Sequence, residues 1–170
     1  PDPLLAAHDI RETFGRMAMN DYETAALVAG GHTFGKSHGA ASESYKGPDP
    51  EASKLQDQST GWNSGYKSGK GVDTISSGIE GAWTQNPTKW DMGYLDCLYG
   101  HDWELTKSPA GAHQWTPKKN GQKIKMVPDA HQKGVLHPPM MQTTDISMKV
   151  DPSYGPITKH FHQNPKEFHD

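Results

Sequence analysis

Between Asn20 and His32 the chain writes out a helix with both ends marked. Asn20 with Glu23 three residues later is a capping-box variant, in which two first-turn N–H groups find side-chain acceptors. Residues 24 to 29 are apolar on nearly every side, as expected of a central buried helix. Gly30-Gly31 then ends or loosens it and sets His32 at or just past its carboxyl end. A second helix precedes it. Asp2-Pro3 joins an N-cap to an N1 proline, and Leu4, Ala7, Ile10, Phe14 and Met17 recur at spacings of 3, 3, 4 and 3. This predicts a helix from residue 3 to about 19, roughly 25 Å long, with one face buried. Asp9, Arg11, Glu12 and Arg16 fall largely outside that stripe.

The rest of the chain supplies little to cover these helices. Only 32% of the 170 residues are apolar, and 18 Gly and 13 Pro imply much irregular backbone. Residues 36–73 read as loop, with Pro48 and Pro50 allowing one helical turn. Residues 88–99 form a helix candidate with Leu95, Leu98 and Tyr99 inward and Gly100 as its stop. Two short runs, 103–106 and 113–116, flank Ser108-Pro-Ala-Gly111 and predict a β-hairpin near 103–116. Residues 120–141 read as Pro- and Lys-rich loop, and 143–150 fit a strand or a helix. Asp151-Pro152 caps a helix to about 162. Asn164-Pro165 starts another just before the sequence stops, so both ends are expected to lie inside a larger domain.

Charge excludes some functions. With 17 basic and 20 acidic residues and no long block of either sign, there is no footprint for nucleic acid. No apolar run approaches ~18 residues, so no membrane span is expected, and the chain reads as soluble. The one cysteine, Cys97, cannot close an internal disulfide, which favours a reducing compartment without excluding export. Its place on the 88–99 helix suggests a small buried hydrophobe rather than a thiolate.

Ten histidines invite a metal reading, but their spacings fit no zinc motif. His160 and His162 lie on different faces of one helix and are expected to be solvated. Ala25-Ala-Leu-Val-Ala-Gly-Gly-His32-Thr-Phe-Gly-Lys36 stands apart: an apolar helix delivers one His through a glycine pair that lets a flat ligand approach the backbone. Haem ligation needs an imidazole that gives one nitrogen to iron and donates a hydrogen bond from the other.

Longer segments carry a resemblance. Arg11-Glu-Thr-Phe-Gly-Arg-Met-Ala-Met-Asn-Asp21 and Ala29-Gly-Gly-His-Thr-Phe-Gly-Lys-Ser-His-Gly39 resemble the proximal region of bifunctional catalase-peroxidases, class I haem peroxidases. Gly69-Lys-Gly71, Ile75-Ser-Ser-Gly-Ile-Glu80, Pro87-Thr-Lys-Trp90, Trp103-Glu-Leu-Thr-Lys-Ser-Pro-Ala-Gly-Ala-His-Gln-Trp115, Pro128-Asp-Ala-His131 and Thr143-Thr-Asp-Ile-Ser147 are similar to that family in the same order. The resemblance spans essentially the whole chain. It implies a mainly α haem peroxidase fold, incomplete, in which residues 1–170 form the proximal part of a single domain.

By that resemblance the cofactor is haem b and His32 is the ligand of its iron. Asp145 matches the carboxylate that accepts the proximal His N–H, and Trp83 the indole beside the imidazole. A carboxylate partner lends imidazolate character, lowers the iron potential and favours its oxidised states. Met17 matches a methionine that this family joins covalently to a Tyr and a Trp, both expected upstream of Pro1. Ser77 matches a serine beside a haem propionate, and Lys36 and Thr33 are further candidates for the propionates, on charge and proximity in sequence. The partners implied are hydrogen peroxide and small-molecule electron donors, in an intracellular, cytoplasmic homodimer.

No segment matches the family's distal helix, whose acid–base assistance is typically worth ~10²–10⁴-fold. The chain alone is therefore expected to bind haem poorly and to be inactive. The rival readings are a monofunctional ascorbate or cytochrome c type peroxidase, a non-catalytic haem-binding remnant, and a non-haem metal site using His32 and His38.

Overall fold

A computed structural model describes residues 1–57, 63–75, 77–118 and 124–170. Parts of the expected loops at 36–73 and 120–141, and Ser76 within the 75–80 motif, lie outside the described residues.

Helix α1 (Pro3–Gly15) opens as the sequence predicts, with Asp2 Oδ1 accepting from the N–H groups of Leu4 (2.8 Å) and Leu5 (3.3 Å). It stops four residues early. The Phe14 carbonyl accepts from both Met17 and Met19, and Ala18 takes a left-handed φ of 60° that turns the chain toward the Asn20 cap. The stripe expected to be buried narrows to Ala7 and Ile10; Leu4 and Met17 are exposed. Helix α2 (Asp21–Gly31) has both halves of its capping box, Glu23 N to Asn20 Oδ1 and Asn20 N to Glu23 Oε2, each 2.9 Å. Its burial is one-sided rather than complete. Small residues, Thr24, Ala25 and Ala29, face the core, while Leu27 is 53% exposed and Tyr22 is also open.

Helix α3 (Gly93–Gly100) begins five residues later than expected. At its first residue the backbone passes Thr84 so closely that a Cβ would lie 2.5 Å from Thr84 Oγ1. Leu95 and Leu98 are buried as expected, Gly100 is the last helical residue rather than the stop after it, and Cys97 is buried. Strands β1 (Trp103–Lys107) and β2 (His113–Pro117) form the expected hairpin, with Leu105 opposite Trp115. The sequence hid a second pairing, β3 (Val127–Pro128) with β4 (Leu136–His137), because two-residue strands carry no period and one contains proline.

Residues 143–150, open between strand and helix in the sequence, are helix α4 (Thr143–Val150). Four consecutive residues, Asp145 to Met148, are buried, which erases the helical period. Helix α5 (Tyr154–Gln163) follows, its first N–H groups at Ser153 and Tyr154 held by Asp151 Oδ1. The last element is α6 (Pro165–His169). Arg11, placed off the apolar stripe in the sequence, is a tie between helices. Its Nε meets both oxygens of Asp21 at 3.0 Å, its Nη2 meets Asp151 at 2.9 Å, and its guanidinium lies 4.7 Å from the Tyr154 ring centroid. His162 is also more than a solvated residue, since it bonds Asp96 (2.9 Å) and stacks on Tyr99.

Candidate functional site

Helix α2 ends on His32, the C-cap residue, whose N–H still bonds Val28. The next two N–H groups bond one residue tighter, Thr33 to Gly30 and Phe34 to Gly31, so the chain leaves the helix in a turn. It then runs antiparallel to 81–88, with bridges Phe34 to Thr88 and Ser37 to Gly81. That pairing carries Trp83 to His32. Their ring centroids are 4.3 Å apart with planes 16° from parallel, and the indole N–H donates to the Phe34 carbonyl at 3.2 Å. Gly35, with φ +77°, makes the bend in a backbone region that side chains rarely adopt.

Asp145 arrives from the other side. The hairpin positions it: Trp115 and Met141 exchange backbone hydrogen bonds at 2.7 and 3.0 Å, and the Trp115 indole donates to Thr143 Oγ1. Helix α4 starts immediately after, and Asp145, in its first turn, accepts the Gln142 N–H through Oδ2 at 2.7 Å. A carboxylate suits a helix N-terminus, where the backbone dipole favours negative charge. Its Oδ1 lies 3.1 Å from His32 Nε2. The carboxylate is 1% exposed, whereas the imidazole is 23% exposed, so His32 reaches from the buried acid to an open face. With Nε2 turned to the acid, Nδ1 is the second ring nitrogen.

A third side chain meets the same acid. Tyr94 on α3 donates its phenol to Asp145 Oδ1 at 3.0 Å, and its ring stands edge-on to His32 at 5.1 Å. Burial first, and then the neighbouring carboxylate, pushes this phenol well above its ordinary pKa, so it stays a neutral donor. The sequence reading missed Tyr94, although its position three and four residues before the buried Cys97 and Leu98 put it on their face.

The other candidates are dispersed. Thr33 is buried and its hydroxyl donates to the Gly30 carbonyl at 2.7 Å. Lys36 donates to the Pro128 carbonyl (3.0 Å) and lines a cavity of about 610 Å³ beside the hairpin. Ser77 is exposed and bonds within its own turn, to Ile79. Met17 lies past the end of α1, 56% exposed. His38 takes a different acid from His32, meeting Glu80 at 2.9 Å. Among the described residues no three His, Cys, Asp or Glu side chains converge to hold a bare metal ion. His32 and His38 thus meet different carboxylates, Asp145 and Glu80.

A single imidazole, backed by a buried carboxylate and flanked by an indole, on a helix-dominated scaffold, defines a class. The peroxidase family model matches residues 1–164, and the chain belongs to that family. It is 63% identical over 171 residues to the catalase-peroxidase of Koribacter versatilis, 59% over 172 to that of a Caulobacter species and 60% over 168 to that of Gloeobacter violaceus. These alignments cover 98–100% of this chain but 23% of each relative, so the chain spans about a quarter of their length. The helices, with two small antiparallel sheets, are consistent with part of a peroxidase fold. Among the described residues no helix is long and apolar enough to cross a membrane.

Proposed function

We propose that this chain is the proximal, iron-binding part of a catalase-peroxidase domain, in which His32 holds haem b. The observation that carries this is the 3.1 Å approach of His32 to Asp145 with Trp83 stacked on the imidazole. The donor set fits the group. One partly open imidazole, with no cluster of three or more His, Cys, Asp or Glu gathered around it among the described residues, would suit a metal whose remaining ligands come with a macrocycle. Bare zinc would need a fuller set of protein ligands.

When bound, haem iron supplies the redox chemistry that takes oxidising equivalents from hydrogen peroxide and passes them to a second peroxide or a small electron donor. The chain's own residues set the conditions. Asp145 accepts the imidazole proton and keeps the ring oriented. Trp83 shields one face of the imidazole and offers an electron-rich ring in contact with it. Ser77, Lys36 and Thr33 are proposed near the propionates, and Met17 as a member of a covalent adduct with residues outside this sequence. From the family resemblance of its sequence, the full-length protein is proposed to be a cytoplasmic homodimer, with residues 1–170 in one domain.

The test is made on the full-length, haem-loaded protein. It should release oxygen from hydrogen peroxide and oxidise a small phenolic donor, and His32→Ala should abolish both. Unchanged turnover in that variant would overturn the assignment.

A further inference from the structure

The carboxylate of Asp145 accepts two hydrogen bonds, and the oxygen that takes the Tyr94 hydroxyl is also the one nearest His32 Nε2. Oδ2 takes the Gln142 N–H at 2.7 Å, while Oδ1 faces both His32 Nε2 at 3.1 Å and the Tyr94 hydroxyl at 3.0 Å. We infer that Tyr94 is a positioning residue of this site, whose phenol competes with His32 for Oδ1 and so sets how much negative charge the carboxylate lends to the imidazole. The inference rests on the haem reading above and adds a tuning element to it.

The physical basis is the strength of hydrogen bonds to ionised acceptors. A carboxylate oxygen shared between two donors is a weaker acceptor for each, because each donor neutralises part of its charge. The partner behind a metal-bound imidazole controls the basicity of that imidazole, and ligand basicity controls the iron potential. The Tyr94 hydroxyl is therefore one carboxylate oxygen removed from His32 and acts on it through Asp145. Its rigidity makes the effect a fixed one. Tyr94 is 1% exposed, part of the buried core cluster, and its ring meets His32 in a T-shaped contact at 5.1 Å.

A buried hydroxyl that merely satisfied a buried acid would matter for folding alone, and the two roles separate by measurement. In the full-length, haem-loaded protein, Tyr94→Phe keeps the ring and removes the donor. The iron(III)/iron(II) midpoint should shift negative and the iron–imidazole stretching band of the ferrous protein should move to higher frequency. Site-specific 3-fluorotyrosine at position 94, a stronger donor of similar shape, should shift both the other way. It also serves if Tyr94→Phe does not fold. Opposite shifts support the inference; an unmoved midpoint and band with 3-fluorotyrosine overturn it. Failure of the haem reading looks different, since His32→Ala would then leave the wild-type stretching band in place.

Discussion

Trp83 lies flat against His32, and its indole N–H is committed to the Phe34 carbonyl rather than to Asp145. The indole thus locks the strand that leaves α2 to the segment that brings Trp83 in. Trp83→Phe keeps a flat ring beside the imidazole but leaves that carbonyl without its donor. Urea unfolding should show a loss of about 1 kcal/mol, typical of one hydrogen bond. Oxidation of small donors by the haem-loaded full-length protein should slow, as a less electron-rich ring replaces the indole.

Helices α4 and α5 meet at Gly155. A Cβ there would lie 2.8 Å from the Lys149 carbonyl, a backbone atom that cannot move aside. Gly155→Ala should cost about 1–3 kcal/mol, the usual penalty for overpacking. Because α4 carries Asp145, thermal unfolding and haem retention should fall together.

Asp21 and Asp151 both sit against Arg11. Burial alone would raise their carboxyls, but side-chain hydrogen bonds at Asp21, and backbone N–H groups together with Arg11 at Asp151, hold both below the ordinary carboxylate range. A carboxyl depressed in the folded state stabilises it at pH above the unfolded value of about 3.9. That contribution disappears as pH falls through the folded values. Arg11→Met should lower the unfolding free energy from urea titration at pH 7 by about 1–3 kcal/mol, for the charges left unpaired. The difference from wild type should shrink once the pH drops below about 4.

Cys97 is fully buried, and burial is the main cause that lifts its thiol to about 11. Below pH 9 the native protein should react with a thiol reagent only as fast as it unfolds. Rapid labelling without denaturant would show this packing to be wrong.

These residues also show which features the sequence carried and which it could not. Local signals with their own chemistry were legible: the Asn20–Glu23 box, the Asp2 cap and the hairpin around Ser108–Gly111 all form as read. Signals that depend on what lies opposite were not. The period of residues 3–19 is helical throughout, yet α1 ends at Gly15 because the next helix claims Asn20 as its cap. Leu5, 66% exposed, and Leu27 are apolar in sequence and uncovered here. Asp145 on α4 had no visible period because its neighbours are buried too. His32 stands out by its apolar helix and glycine pair, whereas Asp145 and Trp83 come from the resemblance alone, and nothing in their spacing brings the three together. Tyr94 was missed because a tyrosine on an apolar helix face reads as core until its hydroxyl is seen to meet an acid.

The central claim is that the His32 imidazole, steadied by Asp145, is the protein ligand of haem iron. It is tested most directly by the optical and electron-paramagnetic-resonance spectra of full-length His32→Gly, with and without added imidazole. The expected result is loss of the histidine-ligated haem signals and their return when imidazole fills the space left behind. Wild-type spectra and haem content in the variant, without imidazole, would contradict it.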